Sequence, residues 1–201
     1  MKEIEVLLEL TEPVLSVKEK LGIVDFDSNI VIDTYFESSD HLRLSPKDDG
    51  RLFSSLRLRE KNGKCLLTYK DDHFDSNGIW LYSDEHETHI NDIDILNKIF
   101  GALGYKELVT VKNTKHTVEI GEYEITLEEV ENLGNFIEIE YKGQKDVDKN
   151  QVESVKEEMR NFLRQKKVGF GDEMNAGKPE LLLKKMAKGV VNRTPKQRSE
   201  K

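Results

Sequence analysis

Hydrophobic and polar residues alternate along much of this 201-residue chain, and such alternation is the pattern of strands with one buried face. The Asn62-Gly63 pair lies between two alternating runs and predicts a tight hairpin turn there. Gly121 is predicted to turn a second hairpin. The predicted strands cover residues 3–10, 30–37, 54–60, 64–70, 80–90, 107–119, 122–130 and 135–142.

Apolar residues at helical spacing predict flanking helices after Pro13, over 92–103 and from about 149 to 166. A short docking helix is predicted over 179–183. Hairpin-linked strands with few helices favour an α+β fold in which an antiparallel eight-stranded sheet closes into a barrel or tunnel. We expect one domain over 1–188, followed by a polar, basic and disordered tail over 189–201.

The charge and cysteine content of the chain argue against several classes of function. The net charge of -8 argues against binding to nucleic acid or to an anionic membrane, which needs a broad basic face. Glu3, Glu5 and Glu9 interrupt the apolar N-terminal residues, so neither a signal peptide nor a membrane span is expected. Cys65 is the only cysteine, which excludes an intrachain disulfide and a Cys-based zinc site. A reducing cytoplasm is the expected location.

The charges on the polar strand faces are sorted by sign. Arg57 and Arg59 lie two residues apart and therefore point the same way, with Lys70 on the paired strand. Lys112 shares a face with His116, which leaves Lys115 on the other face. Carboxylates occupy other strands, at positions Glu3, Glu5, Glu128, Glu138 and Glu140.

Two interpretations of these faces remain open. They are either solvated outer surfaces of half-buried strands or the lining of a water-filled interior. Interior charges are tolerable when they pair with one another and with a charged ligand. Arginine suits phosphate oxygens, and paired glutamates suit Mg²⁺ or Mn²⁺. Glu85 and Glu87 fit either face equally well.

Several motifs together resemble the CYTH family of class IV adenylyl cyclases, thiamine triphosphatases and related triphosphate tunnel enzymes. The likeness runs from about residue 3 to residue 166, and its motifs occur in the family's order. They are Glu3-Ile4-Glu5, Asp33-Thr34-Tyr35-Phe36, Leu56-Arg57-Leu58-Arg59, Leu67-Thr68-Tyr69-Lys70, Leu127-Glu128-Glu129-Val130, Leu133-Gly134 and Phe136-Ile137-Glu138-Ile139-Glu140.

The resemblance implies an eight-stranded tunnel that grips a triphosphate beside a divalent metal. It implies metal ligands at Glu3, Glu5 and Glu138, with Mg²⁺ or Mn²⁺ as the cofactor. Glu128 matches a family aspartate near the reacting phosphates. The predicted catalytic residues are Glu128, Lys112 and Arg59, and the predicted substrate contacts are Arg57, Arg59, Lys70, Lys112, His116 and Glu140.

One departure from the family pattern bears on the reaction. Leu7 stands where the opening ExExK motif has lysine, and in triphosphatase members that lysine helps to position water. This favours an adenylyl cyclase that converts ATP to cyclic AMP and pyrophosphate. The alternatives are a triphosphatase acting on thiamine triphosphate or tripolyphosphate, and a binding module without turnover. A monomer or homodimer is expected.

Overall fold

The computed structural model describes residues 2–22, 24–40, 42–143 and 147–189. The predicted disordered tail lies outside these residues, apart from Gly189.

The described chain contains ten strands and four helices. The strands are β1 (Lys2–Glu3), β2 (Glu5–Leu10), β3 (Asp27–Glu37), β4 (Ser54–Lys61), β5 (Lys64–Phe74), β6 (Trp80–Ile90), β7 (Lys106–Ile120), β8 (Tyr123–Val130), β9 (Gly134–Tyr141) and β10 (Phe170–Glu173). The helices are α1 (Val14–Leu21), α2 (Ile93–Ala102), α3 (Val152–Gln165) and α4 (Lys178–Ala187).

All strands belong to one antiparallel sheet in the order β1-β6-β5-β4-β3-β7-β8-β9-β2-β10. Only Ile4 separates β1 from β2, yet β1 pairs with β6 and β2 pairs with β9. The first extended segment therefore joins the two sides of the curled sheet. This confirms the predicted antiparallel tunnel. The strand count differs because the first strand is divided at Ile4 and β10 adds a strand beside β2.

Strand alternation places the main apolar core outside the tunnel. Ile4, Val6 and Leu8 are buried in a cluster that also contains Val17 of α1 and Met159 of α3. Burial of a side chain of this size contributes about 1.5–3 kcal/mol. Because alternate residues point the opposite way, Glu5 and Leu7 of β2 line the interior.

Helix α4 packs across one end of the tunnel. Leu182 is buried with Leu7, Tyr35 and Phe136, all of which come from the sheet. Glu180 fixes the start of the helix, because its Oε1 accepts a hydrogen bond from the backbone nitrogen of Leu52 at 2.7 Å and its Oε2 accepts one from Gly177.

Three elements differ from the sequence-based expectations. β5 continues to Phe74, four residues beyond its predicted end at residue 70, because the polar residues that suggested a loop alternate into the tunnel. β10 was not predicted, since its four residues carry no apolar alternation. α4 begins at Lys178 and ends at Ala187, and is therefore longer than the predicted 179–183.

Candidate active site

The interior of the tunnel forms a cavity of about 650 Å³. Both signs of charge line it, and carboxylates outnumber cations. The lining cations are Arg57, Arg59, Lys61, Lys70, Lys115, Lys142 and Lys178. The lining carboxylates are Glu3, Glu5, Asp33, Asp72, Glu85, Glu87, Glu124, Glu138, Glu140 and Glu180.

Protein partners satisfy the guanidinium of Arg57 only in part. Its residue is 8% exposed, and its Nη2 donates to Thr68 Oγ1 at 3.1 Å. The same nitrogen lies 3.9 Å from a carboxylate oxygen of Glu85 and 3.9 Å from one of Glu87. The buried Nε of Arg57 has no hydrogen-bond partner within the described part of the chain. Because an unmade buried hydrogen bond costs free energy, this N–H is a donor suited to a ligand oxygen.

Arg59 is paired more completely. It lies directly across from Asp33, and its Nε and Nη2 donate to Asp33 Oδ1 and Oδ2 at 2.7 and 2.8 Å. Burial alone would raise the pKa of Asp33, but Arg59 and then Arg57 hold it well below its usual range. Arg59 therefore presents a neutralised guanidinium to the cavity.

Lys70 joins two carboxylates from neighbouring strands. Its Nζ donates to Glu3 and lies 3.0 Å from Glu85 Oε2. Burial and the charge of Glu5 raise the pKa of Glu3 well above its ordinary value. Burial would also raise the pKa of Glu85, but Lys70 and a hydrogen bond with Glu3 lower it to about 2. The two carboxylates that pair with Lys70 therefore have pKa values shifted in opposite directions.

Glu5 and Glu138 crowd together nearer the α4 end. Burial, and then the charge of Glu138, raises the pKa of Glu5 to about 7. Burial alone would raise the pKa of Glu138, but Lys178 and Lys115 lower it well below the ordinary value. Lys178 comes from the first turn of α4 and its Nζ donates to Glu138.

Glu128 lies behind the cavity wall rather than on its surface. It is fully buried, and its Oε1 accepts from Lys178 at 2.6 Å and pairs with Lys115 at 3.1 Å. Its Oε2 accepts from Asn113 Nδ2 at 2.7 Å. Burial alone would lower the pKa of Lys178, but Glu128 and Glu138 raise it above the ordinary value.

The predicted placement of Lys112 and His116 is wrong. Lys112 is exposed on the outer face of β7, where it pairs across the sheet with Ile32. His116 points outward too, and its ring nitrogens meet Ser28 Oγ at 2.7 Å and Glu129 Oε1 at 3.2 Å. The inward face of β7 instead carries Val111, Lys115 and Thr117.

Glu128, the third predicted catalytic residue, does not line the cavity, because Lys115 and Lys178 cover it. The remaining predicted site residues do meet in the cavity. Arg57, Arg59, Lys70, Glu3, Glu5, Glu138 and Glu140 all line it. Glu85 and Glu87, which fitted either face, point inward as well. The sequence-based prediction missed Lys115, Lys178 and Asp33. Asp33 was recognisable by its place opposite Arg59, whereas no local pattern marked Lys178.

Comparison with known proteins identifies the family to which the chain belongs. Residues 1–175 match the CYTH domain family, which is most of the chain. The chain belongs to the CYTH domain family. It is 29% identical over 162 residues to the candidate adenylate cyclase MJ0240 of Methanocaldococcus jannaschii, a match that covers 81% of this chain and 86% of that protein.

Two solved structures show the same fold. The PH1819 protein of Pyrococcus horikoshii OT3 superposes with a TM-score of 0.71 at 28% identity, covering 90% of this chain and 99% of that one. HpAC1 of Hippeastrum, a candidate adenylyl cyclase described as having a dominant triphosphatase activity, superposes with a TM-score of 0.60 at 19% identity. That match covers 96% of this chain and 98% of that one.

The carboxylates of Glu3, Glu5 and Glu138 have the oxygen chemistry that suits a divalent metal. In this structure, lysine ammonium groups bind two of the three. Within residues 2–22, 24–40, 42–143 and 147–189, no group of three His, Cys, Asp or Glu side chains is arranged to hold a metal ion. Glu3 binds Lys70, and Glu138 binds Lys178. Glu5 has a raised pKa because its burial and its carboxylate neighbour penalise the ionised form. A divalent cation supplies the charge that such crowded oxygens need.

No helix in the described part of the chain is long and apolar enough to cross a membrane.

Proposed function

We propose that this CYTH protein is a metal-dependent enzyme that acts on the triphosphate group of a small molecule. The observation that carries the proposal is Arg57, which lines a polar cavity and whose buried Nε has no partner among the described residues. Phosphate oxygens are suited to fill that position, because they accept charge-assisted hydrogen bonds from guanidinium groups.

The cations of the cavity supply the remaining phosphate contacts in this proposal. These cations come from three strands: Lys70 from β5, Arg57 and Arg59 from β4, and Lys115 from β7. β3 lies between β4 and β7 and carries Asp33. Fixed cations of this kind neutralise charge that develops on phosphate oxygens during phosphoryl or nucleotidyl transfer. Lys115 takes the role that the sequence assigned to Lys112.

A divalent cation is part of this proposal, because carboxylates outnumber cations on the cavity wall, and the ion would compete with Lys70 and Lys178 for Glu3 and Glu138. Glu3, Glu5 and Glu138 are the residues that would hold it, with Mg²⁺ or Mn²⁺ preferred for all-oxygen ligands. When bound, the ion would offset phosphate charge. Glu140 lies beside this group and pairs with Lys142 at 2.7 Å, which assigns it to shaping the cavity rather than to direct phosphate contact.

Two reactions fit such a site. In cyclisation, the ribose 3′-oxygen of ATP forms a bond to the α-phosphorus, the bond to the β-phosphate breaks, and pyrophosphate leaves. In hydrolysis, a water oxygen forms a bond to the terminal phosphorus, the bond from that phosphorus to the bridging oxygen breaks, and the diphosphate portion leaves as inorganic phosphate is formed. Both require in-line placement of the nucleophile. The similarity to MJ0240 supports the cyclase assignment.

The distribution of aromatic residues favours the second reaction as a competing candidate. The aromatic side chains on the cavity wall are Tyr35, Phe74 and Trp80, all near the α4 end. The opposite end is lined by Lys61, Glu87, Thr117, Glu124 and Lys142. Those residues offer no flat surface for stacking a ring, so a compact substrate without one, such as tripolyphosphate, fits a triphosphatase, and thiamine triphosphate is the alternative with rings.

A substrate panel tests the proposal and separates these reactions. The purified chain would be incubated with ATP, thiamine triphosphate and tripolyphosphate, each with Mg²⁺, Mn²⁺ or EDTA. Cyclic AMP with pyrophosphate supports the cyclase, and phosphate release supports the triphosphatase. Binding without turnover would indicate a binding module. Absence of both binding and turnover for all three compounds would refute the proposal. The proposal also includes a cytoplasmic location, because a chain with a single cysteine fits a reducing compartment.

A further inference from the structure

Leu7 and Glu138 lie directly opposite each other on β2 and β9, with both side chains on the interior face. A lysine at position 7, as in the ExExK pattern, would bring its ammonium beside Glu138. Leu7 cannot do this, and it is instead buried against Leu182 of α4. The cation beside Glu138 in this chain is Lys178, which α4 delivers from outside the sheet.

Helix formation does not explain a lysine at this position. Lys178 is the first residue of α4, and a cation at a helix N-terminus opposes the helix dipole. The carboxylates of Glu138 and Glu128 offset that cost, with the ammonium 2.6 Å from Glu128. Lys178 also lies beyond the part of the chain that matches the CYTH family, which ends at residue 175.

Helix α4 is anchored in a way that fixes the lysine. Glu180 accepts from the backbone of Leu52 and Gly177, and Asn175 accepts from the backbone nitrogen of Trp80 at 2.7 Å. Asn175 also donates to the carbonyl of Gly78 at 2.9 Å. These bonds hold both sides of Lys178 to the rim of the tunnel.

We propose that Lys178 is a positioning residue that replaces the missing lysine of position 7: its ammonium holds Glu128 and Glu138 and makes the α4 end of the cavity receptive to an anion. The proposal rests on the proposed triphosphate function for its anion readout. The proposal changes the interpretation of Leu7. The cation beside Glu138 is not lost, because Lys178 supplies it from a different place in the chain. Leu7 then provides apolar surface against which α4, the helix that carries Lys178, packs.

Calorimetric titration with tripolyphosphate and, separately, with Mn²⁺ alone tests this assignment in the full chain. Lys178→Met should weaken tripolyphosphate binding about tenfold or more, because two buried carboxylates lose their counterion. The same variant should bind Mn²⁺ several-fold more tightly, because the ammonium no longer competes for the carboxylates. Lys178→Arg should restore both affinities to within about threefold of the natural chain.

Lys185→Met is the matched control, because it removes a lysine from the same helix. Lys185 donates to the backbone carbonyls of Asn132 and Leu133, away from the cavity. It should change neither affinity. Equal behaviour of the Lys178→Met and Lys185→Met variants in both titrations would overturn the proposal.

A double substitution tests the replacement itself. In the Leu7→Lys, Lys178→Met chain, the new lysine should recover at least half of the lost tripolyphosphate affinity on a logarithmic scale. No recovery in a chain whose melting temperature is unchanged would refute the exchange. If that chain unfolds, the Lys178→Gln variant provides the test. It should show the same changes in tripolyphosphate and Mn²⁺ affinity as Lys178→Met. Unchanged affinities would overturn the assignment. If the natural chain does not bind tripolyphosphate, the proposed function fails. The Mn²⁺ titrations alone then test whether Lys178 holds Glu128 and Glu138.

Discussion

Arg59 and Asp33 face each other across β4 and β3 and form a two-point ion pair inside the tunnel, with N–O distances of 2.7 and 2.8 Å. Asp33 is 3% exposed, so the pair is held in a poorly solvated place. The arginine predicted to be catalytic therefore has an internal partner that competes with any ligand for its donors.

Replacing Asp33 with asparagine should have opposite effects on stability and on anion binding. The free energy of unfolding should fall by about 3 kcal/mol, because Arg59 loses its buried counterion. Tripolyphosphate affinity should rise, because the cavity loses a negative charge and gains a free guanidinium. Urea unfolding and calorimetry measure the two quantities. Asp71→Asn is the control, since its ion pair with Arg43 is on the exposed side and should contribute under about 1 kcal/mol.

Glu180→Ala should loosen α4 from the tunnel. The backbone nitrogens of Leu52 and Gly177 would lose their acceptor, at a cost of about 1–3 kcal/mol. Faster tryptic cleavage after Lys184 and Lys185 would report the loosening. Glu180→Gln keeps one acceptor oxygen and should be cleaved at an intermediate rate. Identical cleavage of all three chains would show that Glu180 does not anchor the helix.

Glu12 should make the stability of the fold depend on acid pH. Hydrogen bonds from Lys20, Ser16 and the backbone nitrogen of Gly169 lower the pKa of Glu12 to about 2. Because the folded pKa lies below the unfolded value of about 4.3, the stabilisation is complete above the unfolded pKa and is lost as the pH falls toward 2. The stability difference between the natural chain and Glu12→Gln should therefore shrink over that interval. A difference that stays constant from pH 6 to pH 2 would contradict this assignment.

The sequence predicted the tunnel well because hairpin signals and alternation act locally. It also predicted that Arg57, Arg59 and Glu138 point to the interior, which the cavity lining bears out. β7 was more difficult, because both of its faces carry polar residues. Val111 shares the inward face with Lys115, since α4 makes that end of the interior apolar. The alternation was therefore assigned to the wrong face, and Lys112 was chosen in place of Lys115.

Lys178 could not be placed from sequence for a different reason. It meets Glu138 and Glu128 across separations of 40 and 50 residues, through a helix whose docking depends on the packing of Leu182 and on Glu180. No periodic pattern encodes such a contact. The missing lysine at position 7 was visible in the sequence, but its replacement was not.

The affinity of the Arg57→Ala chain for tripolyphosphate, compared with that of Lys112→Ala, tests the central claim most directly. Arg57 lines the cavity and has a buried Nε without a partner among the described residues, whereas Lys112 lies on the outer face of β7. Loss of a charge-assisted contact worth roughly 1.5–3 kcal/mol should weaken binding of the Arg57→Ala chain by about one to two powers of ten. Lys112→Ala should bind like the natural chain. An unchanged dissociation constant for Arg57→Ala, or an equal loss in both variants, would contradict a triphosphate site inside the tunnel.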